Sequence, residues 1–499
     1  MDSKTRHPWD LIVVGAGSAG LPLAIRAAER GGRVLQLEAD SRIGGTLHWS
    51  SGQISAAGTR LQAEHGIEDS PAAHYRDAQR IARGSIDPVV LRRFVHEAAP
   101  AVDWLMDLGF EPAPGTPVVG EAHEPYDTRR YLWGRDKALS ILAVLRPVHE
   151  RLVRAGRIDL RLQHRMTRLV TDARGAVVGV RAATANGEFE FRAPRVVLAS
   201  GGYAADPGLW QEITPRIPLC SYVNPCSRGD GLVAARALGA RVDGGEKFLN
   251  TFAGFREDPA DPCSGSFLLL SPGARKVWEM FVDHRGRRFM REDHPSIDYR
   301  ERSLVRRPGT AMHIVMDEGI LQNASPMTPQ THAAYRARFG RHPAFVKSRT
   351  IGGLARLLGV PAAALRRSVR EFNTAVDTGI DRRFGRDALL RRIEKAPFYG
   401  IKAQGITVVS PAGLAVDGRL RVRCADGRPI RNLYAVGEVL GFGRTSGNAF
   451  VGGLSLTPAL ALGKWLGDTL PVAASRARPA SMSRPASTSR PARRSAPRR

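Results

Sequence analysis

Between residues 10 and 38 the chain sets glycines at 15, 17 and 20 between two short apolar runs, and the second run ends in Glu38. This spacing suits the holding of a diphosphate. Gly15 permits a sharp turn after the run 11–14, Gly17 lets backbone approach the phosphates, and Gly20 lets the next helix pack close to the strand. Ser18 and Ala19 fall at the helix start, where N–H groups and the positive end of the helix dipole face an anion. Glu38, followed by Ala39, comes about twenty residues on, where an acid accepts a ribose hydroxyl. Strand, turn, helix, strand and acid in this order predict a dinucleotide seat.

Four further glycine-rich pieces need the same explanation. They are Arg42-Ile-Gly44-Gly45-Thr46, the stretch 50–59 with Ser51 and Gly52, the strand end Ala199-Ser200-Gly201-Gly202, and Gly437-Glu438 with Gly452-Gly453-Leu454-Ser455-Leu456. A buried run that stops at a glycine pair predicts a sheet strand whose backbone meets a ligand. Groups for acid–base work lie elsewhere. Arg275, Arg288 and Arg300 stand in a charged region, and the loop 121–131 carries His123, Tyr126, Arg129 and Tyr131. His123 and His294 are the residue type that titrates near neutral pH.

These groups must be positioned by a large fold. With 499 residues, 43% of them hydrophobic, the chain suffices for two or three domains and has no apolar run of membrane-span length. Helical periodicity is expected over 88–108 and 136–155, with strands within 160–191 and at 195–199. Mixed strands and helices follow residue 240, and sheet-like material returns at 433–438, with a closing helix to about 470. The cysteines at 220, 226, 263 and 424 form no C-x-x-C pair, so no metal site and no disulfide framework is expected. A reducing cytoplasm fits that usage. The net charge of +26 is partly local: residues 471–499 hold eight arginines and no acid in a Pro/Ser/Ala-rich context. Such a tail is expected to be disordered. No nucleic-acid recognition motif accompanies the charge, so nucleic acid is not an expected partner.

Taken together, residues 8–470 resemble the flavoprotein superfamily of fumarate reductases, succinate dehydrogenases and 3-ketosteroid Δ1-dehydrogenases. The motifs that carry the likeness are the glycine fingerprint, Gly44-Gly45, the Ser51-to-Thr59 segment, Ala199-Ser-Gly-Gly202, Arg288-Phe-Met-Arg-Glu292 and Leu433-Tyr-Ala-Val-Gly-Glu438. The resemblance implies an α/β fold: a Rossmann-like, glutathione-reductase-like FAD-binding domain with an inserted α+β capping domain. The expected boundaries are 1–241 and 399–470 for the first domain and 242–398 for the insert. It implies FAD held without a covalent bond, since His48 lacks the spacing of a flavin-linking histidine. Met166 and Asp230 join the cofactor seat, and a helix beginning near Gly453 points its start at the flavin O2 region, where a reduced flavin gathers negative charge.

The implied chemistry moves hydride between flavin N5 and a carbon next to a carbonyl or carboxylate, with a proton joining or leaving the neighbouring carbon. In the resembled enzymes an arginine serves as the acid. Arg300 takes that place after a four-residue insertion, and Arg275 takes the place of a relay arginine. Arg444 and Tyr126 are expected at the substrate. Other positions depart: the stretch 406–413 lacks a histidine, Phe450 stands where a carboxylate-binding arginine is expected, and Ser296 and Ser446 replace tyrosines of the ketosteroid branch. Fumarate is therefore not the expected substrate. Electrons are expected to pass to or from a separate carrier or dioxygen. Two alternatives remain open, an NAD(P)H-dependent flavin monooxygenase and a non-catalytic flavin-bound protein acting through its basic tail. Deleting residues 471–499 separates the last from an enzyme: dye-linked activity should stay within about twofold of full length, and its loss would favour a tail-driven binder.

Overall fold

The computed structural model describes residues 8–120, 123–247, 250–271, 273 and 275–472. The expected disorder of the tail therefore falls almost wholly outside the described residues, as do Glu121 and Ala122 of the polar loop.

Leu11–Val14 is four buried aliphatic residues and pairs in parallel with Val34–Leu37 on one side and Val196–Leu198 on the other. Apolar on both faces, such strands are stable only where both faces of the sheet are covered. Ile158–Arg161 and Pro429–Ala435 extend the parallel sheet, and Arg421–Arg423 closes one edge antiparallel. The helices Gly20–Glu29, Pro88–Asp107, Ala138–Arg154 and Thr457–Thr469 supply much of that cover. Gly15 sits at the strand end with φ +108°, and a Cβ there would stand 2.3 Å from the Ala199 carbonyl oxygen. Only glycine lets the turns after two adjacent strands approach so closely. The domain is Rossmann-like, with an added antiparallel sheet of Arg165–Thr171, Val177–Thr184 and Gly187–Arg192.

A second core forms within residues 252–403, around an antiparallel sheet in which Phe398–Ile406 pairs with Thr251–Arg256, Ala311–Asp317 and Phe345–Ser348. The expected boundary at 398/399 falls at the start of this strand. Its hydrogen bonds carry the insert on to about residue 406. At the other end Val242–Asp243 pairs with Gly413–Leu414, so the connections in and out of the insert lie side by side. The last helix begins at Thr457, with Pro458 in its first turn, and not near Gly453. Residues 452–456 form turns ahead of it. Among the described residues no helix is long and apolar enough to cross a membrane.

Three histidines are held neutral by the packing. Burial, then the Arg130 charge, brings His74 down to about 3, and burial brings His149 down to about 4. Burial, then Lys402, brings His313 to about 4. The unfolded chain takes up these protons below its ordinary histidine range, whereas the folded chain does not. Stability is therefore full above about pH 6.5 and falls as pH drops toward 4, by at most about 1.4 kcal/mol per histidine per pH unit. Urea midpoints measured from pH 7 to 4.5 should fall below pH 6.5, and His149→Gln should lessen the slope. A midpoint flat across that range would contradict the account.

Candidate active site

The strand ends and their turns enclose a first cavity. Gly15, Gly17, Ser18 and Ala19 line it from the first turn, with Gly45 and Thr46 from the loop that follows the second strand. Glu38, Ala39 and Met166 close one side, and Ala199, Ser200, Gly201, Asp230, Gly437 and Glu438 close the other. Beside Gly17 nothing comes nearer than 3.8 Å to where a Cβ would stand, so backbone is open to a phosphate there. Glu38 is fixed from behind, its carboxylate accepting N–H bonds from Ala16 at 2.7 Å and Asp40 at 2.8 Å. Burial raises its pKa against those bonds. The Ser200 hydroxyl is buried without a partner among the described residues, as expected where a ligand supplies one.

The remaining seat residues act from one step back. Gly20 lets the helix sit against the Gly15 carbonyl, where Gln36 also donates to that oxygen at 3.1 Å. Gly44 donates its N–H to the Ala16 carbonyl at 2.8 Å, and Gly202 leaves room for the Glu438 carboxylate. Gly52 packs against the Lys137–Ala138 backbone, and Leu454 is in the core. The His48 ring is held by the Ile43 carbonyl at 3.0 Å. His164, Asn224, Cys226 and Ser227 also line the cavity. No spacing rule singles them out, because they come from turns brought in by the fold.

Ser18, Thr46 and Glu438 are shared with a second cavity of about 350 Å³. Burial raises the Glu438 carboxyl, while the Ser410 N–H bonds it at 2.8 Å. Ser51, Gly453, Ser455 and Leu456 line this chamber, and Ala459 of the last helix reaches it. Gly453 has φ +80°, and a Cβ there would press on the Ser55 backbone at 2.5 Å. The opposite wall is aromatic. Trp49 meets Tyr222 edge to face at 5.3 Å, Tyr222 meets Phe267 at 5.2 Å, and Phe450 stacks on His123 at 4.9 Å. Among the described residues that line it, none is an arginine or lysine.

The four expected catalytic groups are not together in this chamber. Tyr126 is buried behind it and donates its hydroxyl to the Gly452 carbonyl, so it braces the turn before Gly453. Arg444 is buried and ion-paired to Asp87 at 2.5 Å and Asp243 at 3.3 Å, which ties the guanidinium to the first domain and to the connection into the insert. Arg275 is held by Glu279, by the Ser325 carbonyl at 2.8 Å and by the Lys276 carbonyl at 3.2 Å. Among the described residues nothing links it to Arg300. Strong nearby acids explain both placements: a buried guanidinium goes where carboxylates compensate it.

Arg300 differs. It is 1% exposed on the helix Ile297–Val305, and no described residue hydrogen-bonds or ion-pairs with it. Its Cζ lies 4.7 Å from the Phe252 ring centroid. Phe252 follows Thr251, which lines the chamber. Burial brings the Arg300 pKa down to about 10. On the same helix Asp298 and Glu301 stand with His123, their facing atoms within 4.8 Å of one another. That spacing alone would suit a cation, but the uncompensated guanidinium beside Glu301 opposes one.

A model of the family described as FAD binding domain matches residues 10–456. The chain is similar to "Probable fumarate reductase Ifc3" of Shewanella frigidimarina (strain NCIMB 400), 27% identical over 466 residues covering 92% of this chain and 74% of that protein. It is 26% identical over 459 residues to the "Vinyl phenol reductase" of Lactiplantibacillus plantarum, covering 86% and 89% of the two chains. Its fold matches 3-ketosteroid Δ1-dehydrogenase from Sterolibacterium denitrificans with TM-score 0.72, at 19% identity over 92% of this chain and 98% of that one. Replacing Glu38 with alanine removes a charged hydrogen-bond acceptor worth about 1.5–3 kcal/mol. FAD affinity measured by fluorescence should fall roughly 10- to 100-fold, whereas unchanged affinity would remove Glu38 from the seat.

Proposed function

Since the chain belongs to the FAD-binding domain family, we propose that it is an FAD-dependent oxidoreductase acting on CH–CH groups that reduces a carbon–carbon double bond conjugated to a carbonyl, on a substrate with an aromatic or apolar flank. The observation that carries this reading is that the two cavities share Ser18, Thr46 and Glu438, with an uncompensated arginine packed on Phe252, the neighbour of chamber-lining Thr251. Bound FAD supplies hydride exchange at its N5 position. The residues named above hold its diphosphate and ribose, and the non-covalent hold is part of the proposal.

The chain's own groups account for the rest. The wall of Trp49, Tyr222, Phe267 and Phe450 excludes water and stacks against a planar apolar group. Without a cation in that wall, a second carboxylate such as that of fumarate would be buried unpaired, at a cost of several kcal/mol. Arg300 neutralises the charge that grows on the carbonyl and gives a proton to the neighbouring carbon. A free guanidinium is too weak an acid for that step unless the acceptor is strongly basic. Burial narrows the mismatch: a fall from 12.5 to about 10 is worth about 3 kcal/mol. Tyr126 and Arg444 hold structure around the chamber. A cytoplasmic site and a separate electron donor complete the proposal.

Reduced, FAD-loaded protein should be reoxidised by 4-phenylbut-3-en-2-one at least about tenfold faster than by fumarate. Arg300→Gln should keep the bound-flavin spectrum and lose turnover by about 10²-fold or more. Fumarate preference would overturn the substrate class, and wild-type turnover in Arg300→Gln would overturn the acid.

A further inference from the structure

An arginine that gives away a proton must regain one, and Arg275 is committed to Glu279 and to main-chain carbonyls. We propose that His123 and Glu301, aligned by Asp298, form a proton path that recharges Arg300 from the chamber. This rests on the reductase reading above and extends it to groups outside the family's arginine relay.

The geometry brings these groups close together. His123 lines the chamber, and its Nδ1 is buried without a hydrogen-bond partner among the described residues. That atom lies 3.4 Å from an Asp298 oxygen, and that oxygen accepts the Glu124 N–H. Stacking on Phe450 sets the plane of the ring. Glu301 is fully buried, with one oxygen accepting the Phe252 N–H at 3.1 Å and the other without a partner. Phe252 is therefore bracketed, its backbone by Glu301 and its ring by Arg300. An acid buried without a cation bonded to it, next to a cation without an acid bonded to it, stabilises neither as an ion pair. As stations for a mobile proton, both are well placed.

The order of proton affinities agrees. Burial, opposed by His123 and helped by the Asp298 charge, leaves Glu301 pushed up to about 7. His123 is raised despite burial, by Asp298 and Glu301. Arg300 at about 10 binds a proton more tightly than Glu301, so transfer toward it is downhill. Asp293 and His294 also face Arg300, from the turn before its helix, and Arg302 and Glu124 pair nearby. In each turnover Arg300 loses one N–H proton to the substrate carbon, and the neutral guanidine takes the Glu301 carboxyl proton. The Glu301 carboxylate takes a proton from the His123 imidazolium, and His123 is reprotonated by water in the chamber. One proton enters for each that leaves, and no electrons move along the path.

Infrared difference spectra of oxidised, FAD-loaded protein between pH 6 and 8 test the path without substrate. A carboxylic acid C=O band should titrate near pH 7 and vanish in Glu301→Gln. In stopped flow with 4-phenylbut-3-en-2-one, reduced Glu301→Gln should reoxidise in its first turnover within about twofold of wild type, because Arg300 starts protonated. Its later turnovers should slow at least about tenfold. His123→Asn should slow later turnovers likewise and shift the kcat–pH profile. The path is overturned if no band titrates, if steady-state turnover is unchanged in both variants, or if the first turnover slows as much as the later ones. Should wild-type flavin not reoxidise at all, the reductase reading fails, and the infrared band alone decides the path.

Discussion

Everything in this protein is arranged around one close approach, the turn after the strand Leu11–Val14 lying against the turn after Val196–Leu198. With the Ala199 carbonyl 2.3 Å from where a Gly15 Cβ would be, the two strand ends are as near as glycine allows. That contact brings the turn before the Gly20 helix and the Ser200–Gly201 turn to the same cavity. A diphosphate met by backbone N–H groups needs no buried lysine or arginine, and no cation lines the first cavity among the described residues. The unpaired guanidinium of Arg300 stands instead against Phe252, next to Thr251 of the second cavity.

The insert uses charge in two ways. Arg275 with Glu279, and Arg288 with Glu292 and Asp381, are compensated pairs that hold its core. Arg300 and Glu301 are neighbours in sequence and both buried, yet among the described residues neither has a bonded counter-ion. The fold thus compensates these other buried arginines and leaves Arg300 without a bonded acid. Cation–π contact with Phe252 offsets part of the cost without quenching the charge.

The cofactor seat was legible in the chain because its rules are local. Glycine positions, a strand pattern and an acid at a set distance describe backbone geometry, and backbone geometry follows sequence closely. Of the expected seat residues most line the two cavities, and Gly20, Gly44, Gly202, Gly52 and Leu454 shape them from behind. The catalytic side was less legible. Arg444 and Arg275 carry the expected residue type, but Asp87, Asp243 and Glu279 capture them, and such capture depends on tertiary neighbours. The aromatic wall draws on positions 49, 222, 267 and 450, which no periodicity links. Phe398–Ile406 looks like any sheet strand until its partners are known, and those partners lie in the second core, across the boundary expected at 398/399.

The account makes one spatial claim above all: the diphosphate seat opens at Ser18, Thr46 and Glu438 into the aromatic chamber. A crystal structure of the FAD-loaded protein tests it directly. The isoalloxazine ring should lie in the chamber beside Gly453 and Leu456, with the adenosine ribose at Glu38. A ring placed outside that chamber, or a folded protein that takes up no FAD, would contradict it.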